Sequence, residues 1–349
     1  MSDSTTQDVL RPNELTGVVG REAMDALAPL VGVEAWQEYR RSYDAASRLE
    51  VVTAYPLQLD FELNASCNLK CPMCPISAES PKGKGKATWF SIAEFQACIQ
   101  DAVAQGLRAL KLNYINEPLI RKDLPEFVST AKAAGVLDIY LSTNAMLLDK
   151  AMARRLIEGG LSRIQISIDA TTAATYEQVR PGGNLAKVVA NTLGLLELRK
   201  EMGSVTPLVR VSFVKTEINE GELDGFVEYW RDMVDMVGIQ EFIKPPATTN
   251  AALHSNKSVD RRKIGFHCSF PFKQVVVNNE RKILPCCTFW GEQLPIGEFT
   301  GPESIRQAWN SDAMRYLRDI HRAGEYWRIG VCRNCVEAGD AVENGAGVP

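Results

Sequence analysis

Apolar positions along most of the chain recur with two alternating periods, and that alternation predicts the architecture. Residues 57–63, Leu-Gln-Leu-Asp-Phe-Glu-Leu, place an apolar side chain at every second position, the period of a strand with one face buried. Strand patterns recur at 109–114, 137–142, 163–168, 208–214 and 239–243. Helical spacing fills the intervals at 91–105, 124–134, 149–158, 173–179, 185–202 and 222–236. Ser91 and Glu94 open the first of these at capping-box spacing. Six such strand–helix units predict an α/β fold, a parallel sheet curled into a partial (β/α)6, TIM-like barrel. In that arrangement chemistry gathers at the C-terminal ends of the strands. No internal repeat is visible beyond this alternation.

The flanks read differently. Met24, Leu27, Leu30, Val31, Trp36, Tyr39 and Tyr43 are spaced as two helices broken near Gly32. Residues 1–54 show no strand pattern, so they are expected to form a helical extension, best read as a cap on the barrel bottom. Residues 1–15 are polar and expected to be disordered. The run 77–86, which ends in Lys82-Gly-Lys-Gly-Lys86, is expected to be a mobile solvated loop. Beyond the barrel, 275–284 predicts a β-hairpin turning at 278–282, and 303–321 predicts one helix. The expected partition is an N-terminal extension at 1–54, a barrel at 55–265 and a small hairpin-plus-helix module at 266–349.

Composition adds boundaries rather than chemistry. Of 349 residues, 45% are hydrophobic and 23% charged, ordinary for a globular protein. The net charge of −4 gives no global basic field, so nucleic acid is not an expected partner. No apolar run approaches a bilayer's thickness, and the polar N-terminus lacks a signal peptide's apolar core. A cytoplasmic location without a membrane partner is therefore expected. In that compartment nine cysteines point to metal rather than disulfides. Cys98, alone in an apolar helical pattern, is expected in the core.

Three of those cysteines, Cys67, Cys71 and Cys74, form a C-x3-C-x2-C pattern on the loop leaving the first strand. Three thiolates hold three irons of a [4Fe–4S] cluster and leave the fourth iron open. A structural zinc site would need a fourth ligand, and the three histidines, His254, His267 and His321, all lie far along the chain. The stretch Leu-Asn-Ala-Ser-Cys-Asn-Leu-Lys-Cys-Pro-Met-Cys-Pro, residues 63–75, closely resembles the cluster motif of the radical S-adenosylmethionine (SAM) enzymes. The resemblance implies that SAM chelates the open iron through its amino and carboxylate groups. An electron from the cluster then cleaves a carbon–sulfur bond of SAM and releases a 5′-deoxyadenosyl radical. It also implies an electron donor such as a flavodoxin or ferredoxin.

The same resemblance nominates SAM contacts on successive strand ends. The backbone at Met73, where an aromatic residue is commoner, would contact adenine. Asn116-Glu117-Pro118-Leu119 resembles the glycine–glutamate stretch that binds the SAM amino group. Ser142-Thr143-Asn144 resembles the segment on the ribose hydroxyls. Ser167 and Arg180 match positions that hold the carboxylate, for which a guanidinium suits by binding bidentately. Read alone, a Ser-Thr-Asn strand end is often only a turn or cap. Asp169 is equally a cap for the helix beginning near Thr172.

Cys268, Cys286, Cys287, Cys332 and Cys335 occupy the last quarter of the chain. Seventeen residues separate Cys268 from Cys286, and forty-five separate Cys286 from Cys332. The order cysteine, hairpin, cysteine, helix, C-x2-C resembles the auxiliary cluster domain called twitch, the short form of SPASM. It implies one auxiliary [4Fe–4S] cluster on Cys268, Cys286, Cys332 and Cys335, and so two clusters in the chain. Four cysteines alone would equally suit structural zinc; beside the first motif, iron–sulfur is preferred. Cys287 is left over as a hydrogen-atom donor, a second-choice ligand or a buried neighbour.

The spacing is close to twitch domains of aminocyclitol- and sugar-modifying radical SAM enzymes. This implies a small-molecule substrate, a polyol, amino sugar or aminocyclitol, that is oxidised with electron transfer to the auxiliary cluster. Epimerisation with Cys287 as hydrogen donor is the close rival. Modification of a ribosomally made peptide ranks lower, because 1–54 lacks the strand pattern of a leader-binding domain. A purely electron-carrying or metal-storing protein is the non-catalytic alternative.

Overall fold

The computed structural model describes residues 16–78, 89–242 and 266–337. In chain order the elements are β1 (Thr16–Val19), a 3-10 turn (Arg21–Leu27), α1 (Ala28–Val31), α2 (Val33–Ser47), β2 (Gln58–Phe61), α3 (Pro75–Ala78) and α4 (Ile92–Gln105). Then come β3 (Ala109–Lys111), α5 (Leu124–Ala133), β4 (Asp138–Thr143), α6 (Lys150–Glu158), β5 (Arg163–Ser167), α7 (Ala173–Val179), α8 (Leu185–Glu201), β6 (Leu208–Lys215), α9 (Leu223–Trp230) and β7 (Met236–Glu241). The C-terminal part holds α10 (Phe270–Lys273), β8 (Gln274–Val277), β9 (Lys282–Leu284), β10 (Gly297–Glu298), α11 (Pro302–Trp309), α12 (Asp312–Arg322) and α13 (Gly330–Glu337).

Strands β2 to β7 pair in parallel, in sequence order, with helices between them. The sheet continues at both ends without closing, in the order β1-β7-β6-β5-β4-β3-β2-β8-β9-β10. β8 pairs in parallel with β2, and β9 and β10 follow antiparallel, so the hairpin module extends the barrel sheet. The sheet is curled. Ala109 on β3, Leu208 on β6 and Met236 on β7 share one apolar cluster with Leu27, Trp36 and Tyr39. In a flat sheet β3 and β7 would lie about 19 Å apart, four strand spacings. Trp36 and Tyr39, 2% and 3% exposed, thus plug the N-terminal end of the barrel, which is the capping role expected of the extension.

Local chemistry sets the helix boundaries. Ser91 Oγ accepts from the Glu94 amide and the Glu94 carboxylate accepts from the Ser91 amide, completing the capping box of α4. Asp149 caps α6 and Asn184 caps α8 in the same way. Gly32, at φ 96°, separates α1 from α2 where the break was expected.

Several expectations are corrected. The extension is not wholly helical: β1 pairs antiparallel with β7, and its four residues are too few to show a period. The helix expected at 303–321 is two, because Ser311 caps a new start by accepting from the Met314 amide. The helix expected to reach residue 236 ends at Trp230, and β7 begins three residues earlier than expected. β3 ends at Lys111, although the Leu112 amide still donates to the Tyr140 carbonyl. The disorder expected for 1–15 and most of the loop expected at 77–86 lie outside the described residues. Cys98 is fully buried in the main core, as expected.

One correction matters for function. The polar face of residues 57–63 does not meet bulk solvent: Gln58, Asp60 and Glu62 are 4%, 1% and 0% exposed. They point into the barrel. On β3 to β6 the outward side chains Leu110, Ile139, Leu141, Ile164, Ile166, Val209 and Val211 are at most 1% exposed beneath the helices. Their inward neighbours Lys111, Tyr140, Ser142, Gln165, Ser167 and Arg210 are polar and only half-buried. The barrel interior is therefore lined by polar side chains above its apolar plug.

Candidate active site

The loop after β2 is tied to the neighbouring strand ends before it reaches its cysteines. The Glu117 amide donates to the Ser66 carbonyl at 2.9 Å, and Asn116 Nδ2 donates to Asn64 Oδ1 at 2.7 Å. The Glu117 carboxylate, 2% exposed, accepts from Thr143 Oγ1 (2.6 Å), the Asn144 amide (2.8 Å) and the Leu119 amide (3.0 Å). Burial raises its carboxyl above the ordinary value, and these hydrogen bonds oppose the rise. One buried carboxylate thus locks the ends of β3 and β4 together beside the cysteine loop.

The cysteines follow as a tight winding. The Cys74 amide donates to the Cys71 carbonyl and the Ser77 amide to the Cys74 carbonyl, which leads into α3. Two side-chain donors approach the sulfurs, Asn144 Nδ2 at 4.0 Å from Cys67 Sγ and Arg180 Nη1 at 3.9 Å from Cys71 Sγ. Burial, with the neighbouring Cys71 and Cys67 adding to it, pushes the Cys74 thiol up to about 12. Bare thiolates are disfavoured here, so a metal must displace those protons. Three thiols on one loop, with N–H donors directed at sulfur, fit a cluster held by three protein ligands.

The residues nominated as SAM contacts lie on the cysteine loop (Met73), after β3 (Asn116, Glu117), at the end of β4 (Ser142, Asn144), at the end of β5 (Ser167) and just after α7 (Arg180). Asn144 is buried; its Nδ2 also donates to Asn68 Oδ1 (2.8 Å), and its Oδ1 accepts from the Met146 amide (3.0 Å). Ser142, half-buried, donates its amide to Asn113 Oδ1 and faces the interior. Ser167 lies opposite Ser212 at the end of β5. Met73, 8% exposed, packs with Leu69 and Cys71 in the main core. Arg180 stands beside Cys71 but directs Nε (2.8 Å) and Nη2 to Asp169. Asp169 is not the cap of α7, because Thr172 accepts from the Thr175 amide instead. Asp169 sits at φ 62°, fully buried, and also accepts from the Val214 amide. It fixes the arginine against the cysteine loop, a role that sequence alone left open.

The second cysteine group closes on one cavity. Cys268, Cys286, Cys332 and Cys335 line it, with Trp290 and His321 on its wall. Cys332 and Cys335 stand one helical turn apart on α13. Thr288 Oγ1 lies 3.5 Å from Cys286 Sγ and accepts from Cys335 Sγ at 3.8 Å. Burial pushes His321 down to about 4, so it is neutral at pH 7 and accepts from the Cys268 amide at 3.4 Å. Gly291 forms part of the cradle: a Cβ there would lie 2.9 Å from Cys286 Sγ and 2.8 Å from the Cys286 carbonyl. Four thiols with a glycine-lined approach fit a fully ligated cluster. Gly291→Ala is accordingly expected to displace Cys286 and lower bound iron from about eight to about four per chain, leaving the first cluster in place. Iron and sulfide analysis of the reconstituted variant checks this, and unchanged iron would refute it.

Cys287 does not line that cavity. It packs against the buried cluster of Tyr114, Ile115, Val276 and Leu284, and the charges of Asp60 and Lys111 are felt at its thiol. The spare thiol therefore lies on the side of the interior-facing Asp60 and Lys111.

The structure is thus a parallel α/β barrel with three cysteines after its first barrel strand and a four-cysteine module on its sheet edge. The profile described as the radical SAM superfamily matches residues 62–211, and that described as an iron–sulfur cluster-binding domain (SPASM) matches 268–336. The chain thus carries a radical SAM domain over 62–211 and a SPASM-type iron–sulfur domain over 268–336, and these domains imply SAM and [4Fe–4S] clusters as cofactors.

Relatives by sequence include the probable GTP 3',8-cyclase of Methanococcus maripaludis, 32% identical over 181 residues, 52% of this chain and 57% of that protein. The probable GTP 3',8-cyclase of Methanocaldococcus jannaschii is 27% identical over 185 residues, 53% of this chain and 58% of that protein. The chain thus spans little more than half the length of these relatives. Similar solved structures include BtrN in complex with AdoMet and 2-DOIA, at TM-score 0.50 and 17% identity over 80% of this chain and 92% of that one. They also include anSMEcpe with bound AdoMet (TM-score 0.57, 12% identity, 80% and 85% covered). Streptococcus suis SuiB bound to precursor peptide SuiA is a third (TM-score 0.55, 14% identity, 81% and 71% covered). At these identities the likeness concerns the fold. Among the described residues no helix is long and apolar enough to cross a membrane.

Proposed function

We propose that this chain abstracts a hydrogen atom from a C–H bond of a small polyol, amino sugar or aminocyclitol held inside the barrel, and that the outcome is oxidation. The observation that carries the reading is the polar lining of the barrel interior, where Lys111, Tyr140, Ser142, Gln165 and Ser167 remain half-buried. Such a lining suits a small hydroxylated molecule better than a peptide side chain in extended backbone.

In this reading Cys67, Cys71 and Cys74 hold the SAM-binding cluster, which with SAM supplies reductive cleavage and hydrogen abstraction. Asn144 and Arg180 donate toward its sulfurs. Asn116, Glu117, Ser142, Ser167 and the Met73 backbone form the SAM rim, with Glu117 fixing two strand ends at once. Cys268, Cys286, Cys332 and Cys335 take every protein-ligand position of the auxiliary cluster. They leave no place for substrate to chelate, so that module serves electron acceptance. An electron donor of the flavodoxin or ferredoxin class completes the system. Epimerisation is the second reading, and one observation favours it: the Cys287 thiol lies on the side of the interior-facing Asp60 and Lys111 and does not line the auxiliary cavity.

Anaerobically reconstituted enzyme, reduced with SAM, is expected to form 5′-deoxyadenosine together with a product two hydrogens lighter than a polyol, amino sugar or aminocyclitol substrate. Mass spectrometry of a substrate panel measures this. The panel includes GTP and a ribosomal-type peptide, and turnover of either in place of the polyols would overturn the proposal.

A further inference from the structure

Asp60, Lys111 and Gln274 occupy one wall of the barrel interior, and neither the cluster sites nor the SAM rim uses them. Asp60 on β2 pairs in register with Lys111 on β3 on one side and Val276 on β8 on the other. Gln274, two residues before Val276, therefore points to the same face as Asp60. Register therefore puts the three side chains on one face of adjacent strands, and the Cys287 thiol feels the charges of Asp60 and Lys111.

Each group is left with capacity to spare. Asp60 is 1% exposed and, among the described residues, accepts only from Gln58 Nε2, at 2.7 Å, an amide it shares with the Tyr140 hydroxyl. Gln274 is 2% exposed, and its Nε2 makes no hydrogen bond of ordinary geometry. Lys111, half-buried, forms no ion pair among the described residues, yet its charge is felt at Asp60. A buried donor or acceptor without a partner is destabilising unless a ligand completes it. Burial also pushes Asp60 up to about 6, against the pull of Lys111 and Gln58.

We propose that Asp60, Lys111 and Gln274 form the substrate-recognition wall of the barrel: an acceptor and two donors that read adjacent hydroxyl or amino groups of a polyol ring lying over Cys287. The assignment rests on the small-polyol reading above and specifies the groups that recognise such a substrate. The mixture of acceptor and donors suits neighbouring hydroxyls, each of which both donates and accepts. A flat apolar ring would leave all three groups unsatisfied, so the wall selects against it.

Binding of myo-inositol and of glucosamine to the SAM-loaded holoenzyme, measured by equilibrium dialysis, tests the assignment without turnover. Wild type is expected to bind at least one of the two. Asp60→Asn and Lys111→Met, made separately, are each expected to weaken that binding by about tenfold or more while SAM binding stays at the wild-type level. Retained SAM binding shows that a variant is folded, and Asp60→Asn nearly preserves shape. Unchanged probe binding in both folded variants would overturn the wall, as would a wild type that binds SAM but neither probe. A wild type that binds a probe through Asp60 yet never cleaves SAM would instead overturn the radical reading and leave the wall standing.

Discussion

Replacing Cys67, Cys71 and Cys74 together with Ala is expected to remove SAM cleavage altogether while about four of about eight irons remain bound. The two cysteine groups are built on separate supports. The first winds between β2 and α3 and is fixed by Glu117, Asn64 and Asn116. The second closes around a cavity made by α13, the loop after β9 and the segment before α10. No ligand is shared between them, so emptying one should spare the other. Iron analysis and electron paramagnetic resonance of the reduced variant give the count and identity of the remaining cluster, and 5′-deoxyadenosine formation gives the activity. Loss of all iron would mean that the groups form one site. Zinc retained in place of the remaining iron would make the C-terminal module structural.

Much of this frame is legible in the sequence, and what is missed has a common cause. The strands beginning at Arg163 and Leu208 and the helix at 173–179 start where their periods predict, because each is flanked by a turn or cap residue. The run Met233-Val-Asp-Met-Val237 is apolar but for Asp235 and fits either period, so the end of α9 and the start of β7 are misplaced there. Both cysteine groups are visible because spacing within one loop or helix turn is itself the signal. The polar wall is a different matter. The alternation of Gln58, Asp60 and Glu62 is plain, yet a period of two says only that these side chains share a face. Whether that face meets solvent or the barrel interior depends on the curl of the whole sheet, which only the packing of Trp36 and Tyr39 against β3, β6 and β7 reveals. The same holds for Asp169, a cap candidate by sequence that is instead the anchor of Arg180.

Buried carboxylates recur as fasteners at the mouth of the barrel. Glu62 accepts from the Ile115 amide and from the amide and Nδ2 of Asn279, joining β2 to the loop after β3 and to the hairpin turn. Glu117 joins β3 to β4, and Asp169 joins β5 to β6 through the Val214 amide. Each sits beyond a strand end, Glu62 one residue past β2, Asp169 two past β5 and Glu117 on the loop after β3, where parallel strands leave amides without ladder partners. Rigid strand ends are what a reaction at an unactivated C–H bond requires, since a misplaced radical attacks the wrong carbon.

Cys287→Ala is expected to retain the oxidised product, with a stability loss of about 1 kcal/mol for truncating one small side chain. Oxidation removes a hydrogen atom, a proton and an electron from the substrate and returns nothing to its carbon, so it has no use for a thiol donor. Epimerisation needs a hydrogen atom delivered to the opposite face, and Cys287 is the thiol outside both ligand sets that lies on the side of the interior-facing residues. Its position beside Asp60 and Lys111 would place it next to a bound polyol, so the variant separates the two outcomes directly. Turnover in deuterium oxide makes the distinction quantitative, because a thiol proton exchanges with solvent before it is delivered. If oxidation is correct, wild type and variant give the same lighter product, without solvent deuterium at carbon. An isomeric product carrying one deuterium in wild type, lost in Cys287→Ala while 5′-deoxyadenosine still forms, would make this chain an epimerase.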